Sequence, residues 1–172
     1  MREPESRRAP GHHPQTSPQK EFALQRISKN LLAAAALGLC MAASAWAAET
    51  PSTLDGVKLV SAEQARELQA KGVPMIDTRV AAEYAEKTVK GAISVPYKEK
   101  SAKDAAFDKS QDSFDLAKLP ADKNAPLVFF CNSGECWKSY KASVQARDAG
   151  YKQIIWMRGG MPEWVAKGLP TQ

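Results

Sequence analysis

Apolar residues fall along this chain in short runs divided by polar turns, and the runs alternate between two periodicities. Residues 127–130 (Leu-Val-Phe-Phe) carry no polar interruption and read as a short strand buried on both faces. A polar turn from Cys131 to Cys136 follows, with Gly134 inside it. From Trp137 the apolar positions Trp137, Tyr140 and Val144 recur at helical spacing until Gly150 supplies a stop. The same alternation repeats on either side. Residues 57–60 alternate as a strand, and Ser61 with Gln64 predicts a capping box for a helix carrying Ala62, Ala65 and Leu68, ended by Gly72. Residues 73–77 read as the next strand, 81–86 as a short helix and 93–95 as a third strand closed by Pro96. Residues 153–157 form another buried strand, and 161–167 a final helix in which Trp164 belongs to the core. Gly159 and Gly160 fall where backbone must come close to the 131–136 turn. Strands alternating with helices predict an α/β domain, a parallel sheet with helices on both faces.

Two stretches break the pattern. Residues 97–123 are long and charged, with Phe107, Phe114, Leu116 and Leu119 as their large apolar anchors, and read as a surface lid or a partner-contact segment. Residues 1–20 are rich in Pro, Ser, Arg and Gln without apolar periodicity and read as disordered. Residues 31–48 carry no charge, Arg26 and Lys29 precede them, and Ala45, Trp46 and Ala47 make a small-x-small cleavage site. Residues 1–47 therefore read as a disordered leader plus a secretory signal peptide cleaved after Ala47. A permanent membrane anchor is the weaker alternative, because the run is alanine-rich and near the lower length limit for a span. Residues 48–56 are a polar tether and 57–170 the domain. The protein is expected in the periplasm or another exported compartment, with no membrane contact once the signal is removed.

Cleavage changes the charge argument. The leader holds six Lys/Arg and three Asp/Glu, so the whole-chain net charge of +5 falls to +2, and nothing points to nucleic acid. Both histidines, His12 and His13, also leave with it. A histidine-free domain excludes Cys-His dyads, Ser-His-Asp triads and His-ligated metal sites. Neither a metal nor another cofactor is expected.

What remains is thiol chemistry. A strand feeding a Gly-containing loop into a helix aims loop N–H groups and the helix's positive end at one point. Cys131 stands at the mouth of that loop, expected to be solvent-accessible, where a stabilised thiolate becomes a nucleophile. Asp77 ends its strand on the same side of the sheet, so Asp77 and Arg79 face the same crevice, although alone they would read as a surface ion pair. Cys131 and Cys136 are the two cysteines left after cleavage, and in an exported protein such a pair is usually a structural disulfide. A bridge closing so short a loop stabilises little and occupies the nucleophile, which favours a functional pair.

The buried strand, Cys131 opening a short loop and the helix behind it resemble the active-site loop of rhodanese-like domains. Residues 75–79 followed by Glu83 and Tyr84, then 91–96, 158–164 and 168–170, look like that family's landmarks in the family's order. The resemblance implies sulfur transfer. The Cys131 thiolate would take sulfane sulfur from thiosulfate or a persulfide, hold it as a persulfide and pass it to a thiol acceptor. The N–H groups of Asn132, Ser133, Gly134, Glu135, Cys136 and Trp137 would face the anion. It also moves Asp77 and Arg79 toward bracing the loop. Relatives commonly carry a His before the Gly91–Ala92 pair, and residues 87–90 hold none. Related phosphatase loops place an Arg six positions after the Cys. Trp137 stands there instead, and Glu135 adds a negative charge, which disfavours phosphate or arsenate.

Cys136 departs from ordinary rhodaneses. The Cys-x4-Cys-Trp pattern is similar to an exported rhodanese-like subgroup, the CXXCW motif proteins associated with quinone-cofactor-dependent alcohol catabolism. Cys136 is expected to resolve the Cys131 persulfide, the competing reading being a hydroxyl substitute lining the pocket. Two alternatives from other classes stay open. One is a dithiol/disulfide oxidoreductase acting on another protein's cysteines. The other is a non-catalytic binding module for an exported dehydrogenase or cytochrome, touched through residues 97–123. The leader is checked directly: N-terminal sequencing of protein recovered from the exported compartment should begin at Ala48, and retention of residues 31–47 would establish the anchor instead.

Overall fold

In this computed structural model residues 49–172 are described, and the leader and its cleavage site lie outside them. Five strands, β1 (Val57–Leu59), β2 (Met75–Asp77), β3 (Ile93–Ser94), β4 (Pro126–Phe130) and β5 (Gln153–Met157), form one sheet in the order β1-β5-β4-β2-β3. Every neighbouring pair is parallel. The helices are α1 (Ala62–Ala70), α2 (Ala81–Glu86), α3 (Trp137–Asp148) and α4 (Gly160–Ala166). The α/β reading holds, and the Ser61–Gln64 capping box closes α1 as expected.

The period of two along each central strand divides the core between the two faces. Met75, Val128, Phe130, Ile155 and Met157 pack with Ala62 and Ala65 of α1 and with Met161 and Trp164 of α4. Ile76, Leu127, Phe129 and Ile154 point the other way, against Ala142 and Ala146 of α3. Both faces are apolar because both are covered, which is why the strands read as unbroken hydrophobic runs.

Register decides where chemistry gathers. Asp77 pairs with Phe130 and Phe130 with Met157, so β2, β4 and β5 end in one row. The residues just beyond, Thr78–Arg79, Cys131 and Arg158–Gly160, are thereby brought to one edge. Gly160 has φ +60°. A Cβ there would lie 2.8 Å from the Cys131 carbonyl carbon and 2.9 Å from that of Asn132, and nearer still to the Cys131 oxygen. Both the left-handed backbone and the close approach demand glycine.

Residues 97–123 are built as a cover over α3, with 3-10 turns at Lys109–Gln111 and Leu116–Lys118. Phe107 packs with Trp137, Tyr140, Val144 and Trp156, and Leu119 joins the cluster of Ile76, Leu127 and Phe129 on the α3 face. Beneath this cover Lys141 is fully buried. Its Nζ donates to Ser101 Oγ at 2.8 Å and to Ser101 O at 3.2 Å. It lies 2.8 Å from Glu99 Oε1 and 3.8 Å from Asp112 Oδ2. The Glu99 contact is a charge pairing rather than an aligned hydrogen bond. The Asp112 carboxylate accepts from Tyr97 Oη, Lys100 N and Ser101 N, each at 2.7 Å, and from Ser101 Oγ at 2.6 Å. Burial pushes the Asp112 carboxyl up, but these hydrogen bonds, Ser101's first, outweigh it and bring it from 3.8 down to about 2. Burial first, then Asp112, raises the Tyr97 phenol.

Two outcomes test these features. A depressed carboxyl adds stability that is fully present above the unfolded-state pKa and is lost as pH falls through the folded one. Between pH 4 and pH 2 the wild type should therefore lose about 2 kcal/mol more than Asp112→Asn, read by urea unfolding. Gly168 also has positive φ but open space around it. Gly168→Ala should cost about 1–2 kcal/mol of backbone strain, and Gly160→Ala roughly 1–3 kcal/mol beyond that.

Candidate active site

Cys131 follows β4 directly, and its backbone is held from both neighbours. The preceding carbonyl, of Phe130, accepts from Thr78 N at 3.1 Å and Thr78 Oγ1 at 2.9 Å. The carbonyl of Cys131 accepts from Met161 N at 2.9 Å. The loop then curls: Cys136 N donates to Ser133 O at 3.0 Å and Glu135 N to Ser133 Oγ at 3.3 Å. The curl brings the Cα atoms of Cys131 and Cys136 to 6.3 Å, and the two sulfurs are joined.

Two expectations change here. Cys131 is 1% exposed, so in this closed loop it is not a solvent-accessible thiol. The N–H groups of Glu135 and Cys136 bond within the loop instead of facing an anion, because the tight turn places Ser133 within their reach. The helix field also falls differently. Cys136 itself is the N-cap of the twelve-residue α3, whose first turn carries no acidic residue. The Cys136 sulfur, not only Cys131, therefore stands at the positive end of the helix.

The remaining sequence-derived residues take distinct places. Asn132 Nδ2 donates to Glu83 Oε1 at 2.6 Å, tying the loop to α2. Burial raises the Glu83 carboxyl, but the hydrogen bonds from Asn132 and Val80 N, with the Lys138 and Arg79 charges, bring it below its usual range. Asp77 and Arg79 form a buried ion pair at 2.7 Å. Their other bonds run to Thr88 Oγ1 and to the Lys87 carbonyl, so they secure the 87–88 segment and reach the loop through Glu83's neighbourhood. Glu135 is exposed. Trp137 packs edge-on against Tyr140, with centroids 5.2 Å apart, as part of the core.

Two contributors were not singled out by the sequence reading. Thr50, placed in the tether, is 2% exposed and donates to Gly134 O through both N (2.9 Å) and Oγ1 (2.6 Å). Residues 49–56 are thus fastened to the domain, with Leu54 packed on the Trp137 cluster. Arg158 lies against Gly134, where a Cβ would meet its guanidinium at 2.8–3.0 Å. Gly134 has no positive φ, so what its lack of a Cβ leaves room for is this guanidinium. Only the position of Arg158 directly before Gly159–Gly160 could have pointed to it.

A cavity of about 310 Å³ opens beside Asn132, bordered by Arg79, Glu83, Lys87 and Met161, and carries both signs of charge. A larger one of about 560 Å³ lies among Arg66, Gln69, Val73, Lys90 and Ile93, at the strands' amino ends and away from Cys131. Among the described residues no cluster of His, Cys, Asp or Glu is arranged to hold a metal ion.

The rhodanese-like domain model matches residues 61–167. The chain is 28% identical over 113 residues to Thiosulfate sulfurtransferase 16, chloroplastic, of Arabidopsis thaliana, covering 66% of this chain and 91% of that protein. It is 33% identical over 55 residues to a Sulfurtransferase of Allochromatium vinosum, covering 32% of this chain and 48% of that one. Among solved structures the Alr3790 protein from Anabaena sp. superposes with a TM-score of 0.50 at 21% identity, covering 66% of this chain and 90% of that one, a likeness of fold alone. The matched span takes in four of the five strands and the whole Cys131 loop, and this chain belongs to the rhodanese-like domain family.

Proposed function

We propose that this chain is an exported sulfurtransferase in which Cys131 accepts sulfane sulfur and Cys136 resolves it. The observation that carries the reading is the meeting of the two cysteines across the loop at the end of the central strand. Sulfurtransferase-named relatives at low identity support the reaction class. The cycle starts when an outside dithiol reduces the Cys131–Cys136 bond, itself becoming a disulfide. The Cys131 thiolate then attacks the outer sulfur of thiosulfate, the S–S bond breaks and sulfite leaves, with Cys131 now a persulfide. A small thiol acceptor can take that sulfur. In its absence the Cys136 thiolate attacks Cys131 Sγ, the Sγ–S bond breaks, sulfide leaves and the internal disulfide returns. Placement of Cys136 at the α3 N-cap favours its thiolate for that attack. An exported redox protein is the natural source of the dithiol.

The same joined cysteines favour a second reading, dithiol/disulfide exchange with another protein's thiols. Intact-mass analysis of the reduced protein after one dose of glutathione persulfide separates the two. Sulfur transfer predicts a gain of one sulfur atom on Cys131, lasting in Cys136→Ser and decaying to a disulfide with sulfide release in wild type. Cys131→Ala should lose turnover to background. A glutathione mixed disulfide on Cys131 in Cys136→Ser in place of a one-sulfur adduct, with oxidised glutathione forming the wild-type internal disulfide equally well, would establish the exchange reading.

A further inference from the structure

Besides the Asn132–Glu83 bond and the Met161 N–H on the Cys131 carbonyl, the loop carrying both cysteines is held from outside at its middle. The carbonyl oxygen of Gly134 accepts both the N–H and the hydroxyl of Thr50, at 2.9 and 2.6 Å. Arg158 holds Thr50 in turn: Nε donates to Thr50 Oγ1 at 3.1 Å and Nη2 to Thr50 O at 2.8 Å. Nη2 also reaches Glu49 Oε2 at 3.2 Å. The guanidinium occupies the space a Cβ on Gly134 would need. With Thr50 almost wholly buried, water does not compete effectively for its own bonds.

Gly134 lies between the two cysteines in the chain. The freedom of a loop between two thiols decides how often their sulfurs meet, so restraining it raises the effective concentration of one at the other. We propose that Thr50 and Arg158 are positioning residues for the cysteine pair, pinning the Gly134 carbonyl so that the loop stays curled with Cys136 against Cys131. A pin that forms only with the closed loop favours closure, and closure favours the pin, by linkage. Its bearing on turnover rests on the resolving role proposed for Cys136. A loosened pin slows the attack of Cys136 on Cys131 Sγ, slows the departure of sulfide and lengthens the life of the persulfide.

The test equilibrates the full chain and its Thr50→Val, Thr50→Ser and Arg158→Gln variants with glutathione, counting internal disulfide by alkylation and intact mass. Dithiol plus oxidised glutathione gives the internal disulfide plus two reduced glutathiones, so the midpoint reads the effective concentration directly. Thr50→Val removes the hydroxyl and keeps the shape, whereas Thr50→Ser keeps the hydroxyl. Thr50→Val and Arg158→Gln should each lower the equilibrium constant roughly tenfold, equivalent to about 30 mV, while Thr50→Ser stays within about twofold of wild type. Values for Val and Gln within about twofold of wild type, or a Ser value as low as Val, overturn the proposal. Should Arg158→Gln fail to fold, the Thr50 pair decides alone. Sulfide release after one dose of glutathione persulfide keeps the two claims apart. Slower release from Thr50→Val than from wild type ties the pin to resolution. Absence of release from wild type removes the resolving role, and the glutathione equilibrium still decides the pin.

Discussion

The Cys131 carbonyl oxygen accepts the Met161 N–H across a gap with no room for a side chain at residue 160, and most of the site depends on that approach. With Thr78 gripping the carbonyl one residue earlier, the backbone at Cys131 is tied to β2 on one side and to the start of α4 on the other. A cysteine set on backbone this constrained cannot drift. What can respond to chemistry is the side chain and the loop beyond it, and function needs that division between rigid support and adaptable loop.

Charge around the loop is arranged in pairs that serve separate ends. The Asp77–Arg79 pair is buried, and burial of two ions is favourable only when the remaining donors and acceptors are also met. Thr88, the Lys87 carbonyl and the Arg79 N–H meet them, so the pair works as a brace for the chain entering β3. Arg158 is the cation that touches the loop itself, and its bonds to Glu49 and Thr50 turn a stretch with the composition of a linker into part of the site.

The cover formed by residues 97–123 acts on the site at one remove. It buries Lys141 of α3 among Glu99, Ser101 and Asp112, and Phe107 lies 5.1 Å from that ammonium. The helix anchored in this way is the one whose N-cap is Cys136. Fixing α3 on the face turned away from the sheet therefore also fixes the fixed end of the cysteine loop. That explains why so much of this helix is buried although its sequence shows only a weak apolar stripe.

The division between what was legible in the chain and what was not follows the range of the interactions. Apolar period, the Ser61–Gln64 cap, and the order of strand, loop and helix are local signals, and from them came the parallel α/β fold, the edge where Cys131 emerges and the need for glycine at 160. Cys131 and Cys136 were legible as a pair because they share one short loop. Thr50, Arg158 and Lys141 were not. A threonine in a polar stretch, an arginine after a strand and a lysine in a helix carry the same local pattern whether water or protein surrounds them. Thr50 meets Gly134 across 84 residues of chain, although β1 lies two strands from β4. Tertiary structure decided those contacts, since a polar group's partner is chosen by what the fold brings beside it and not by its neighbours in sequence.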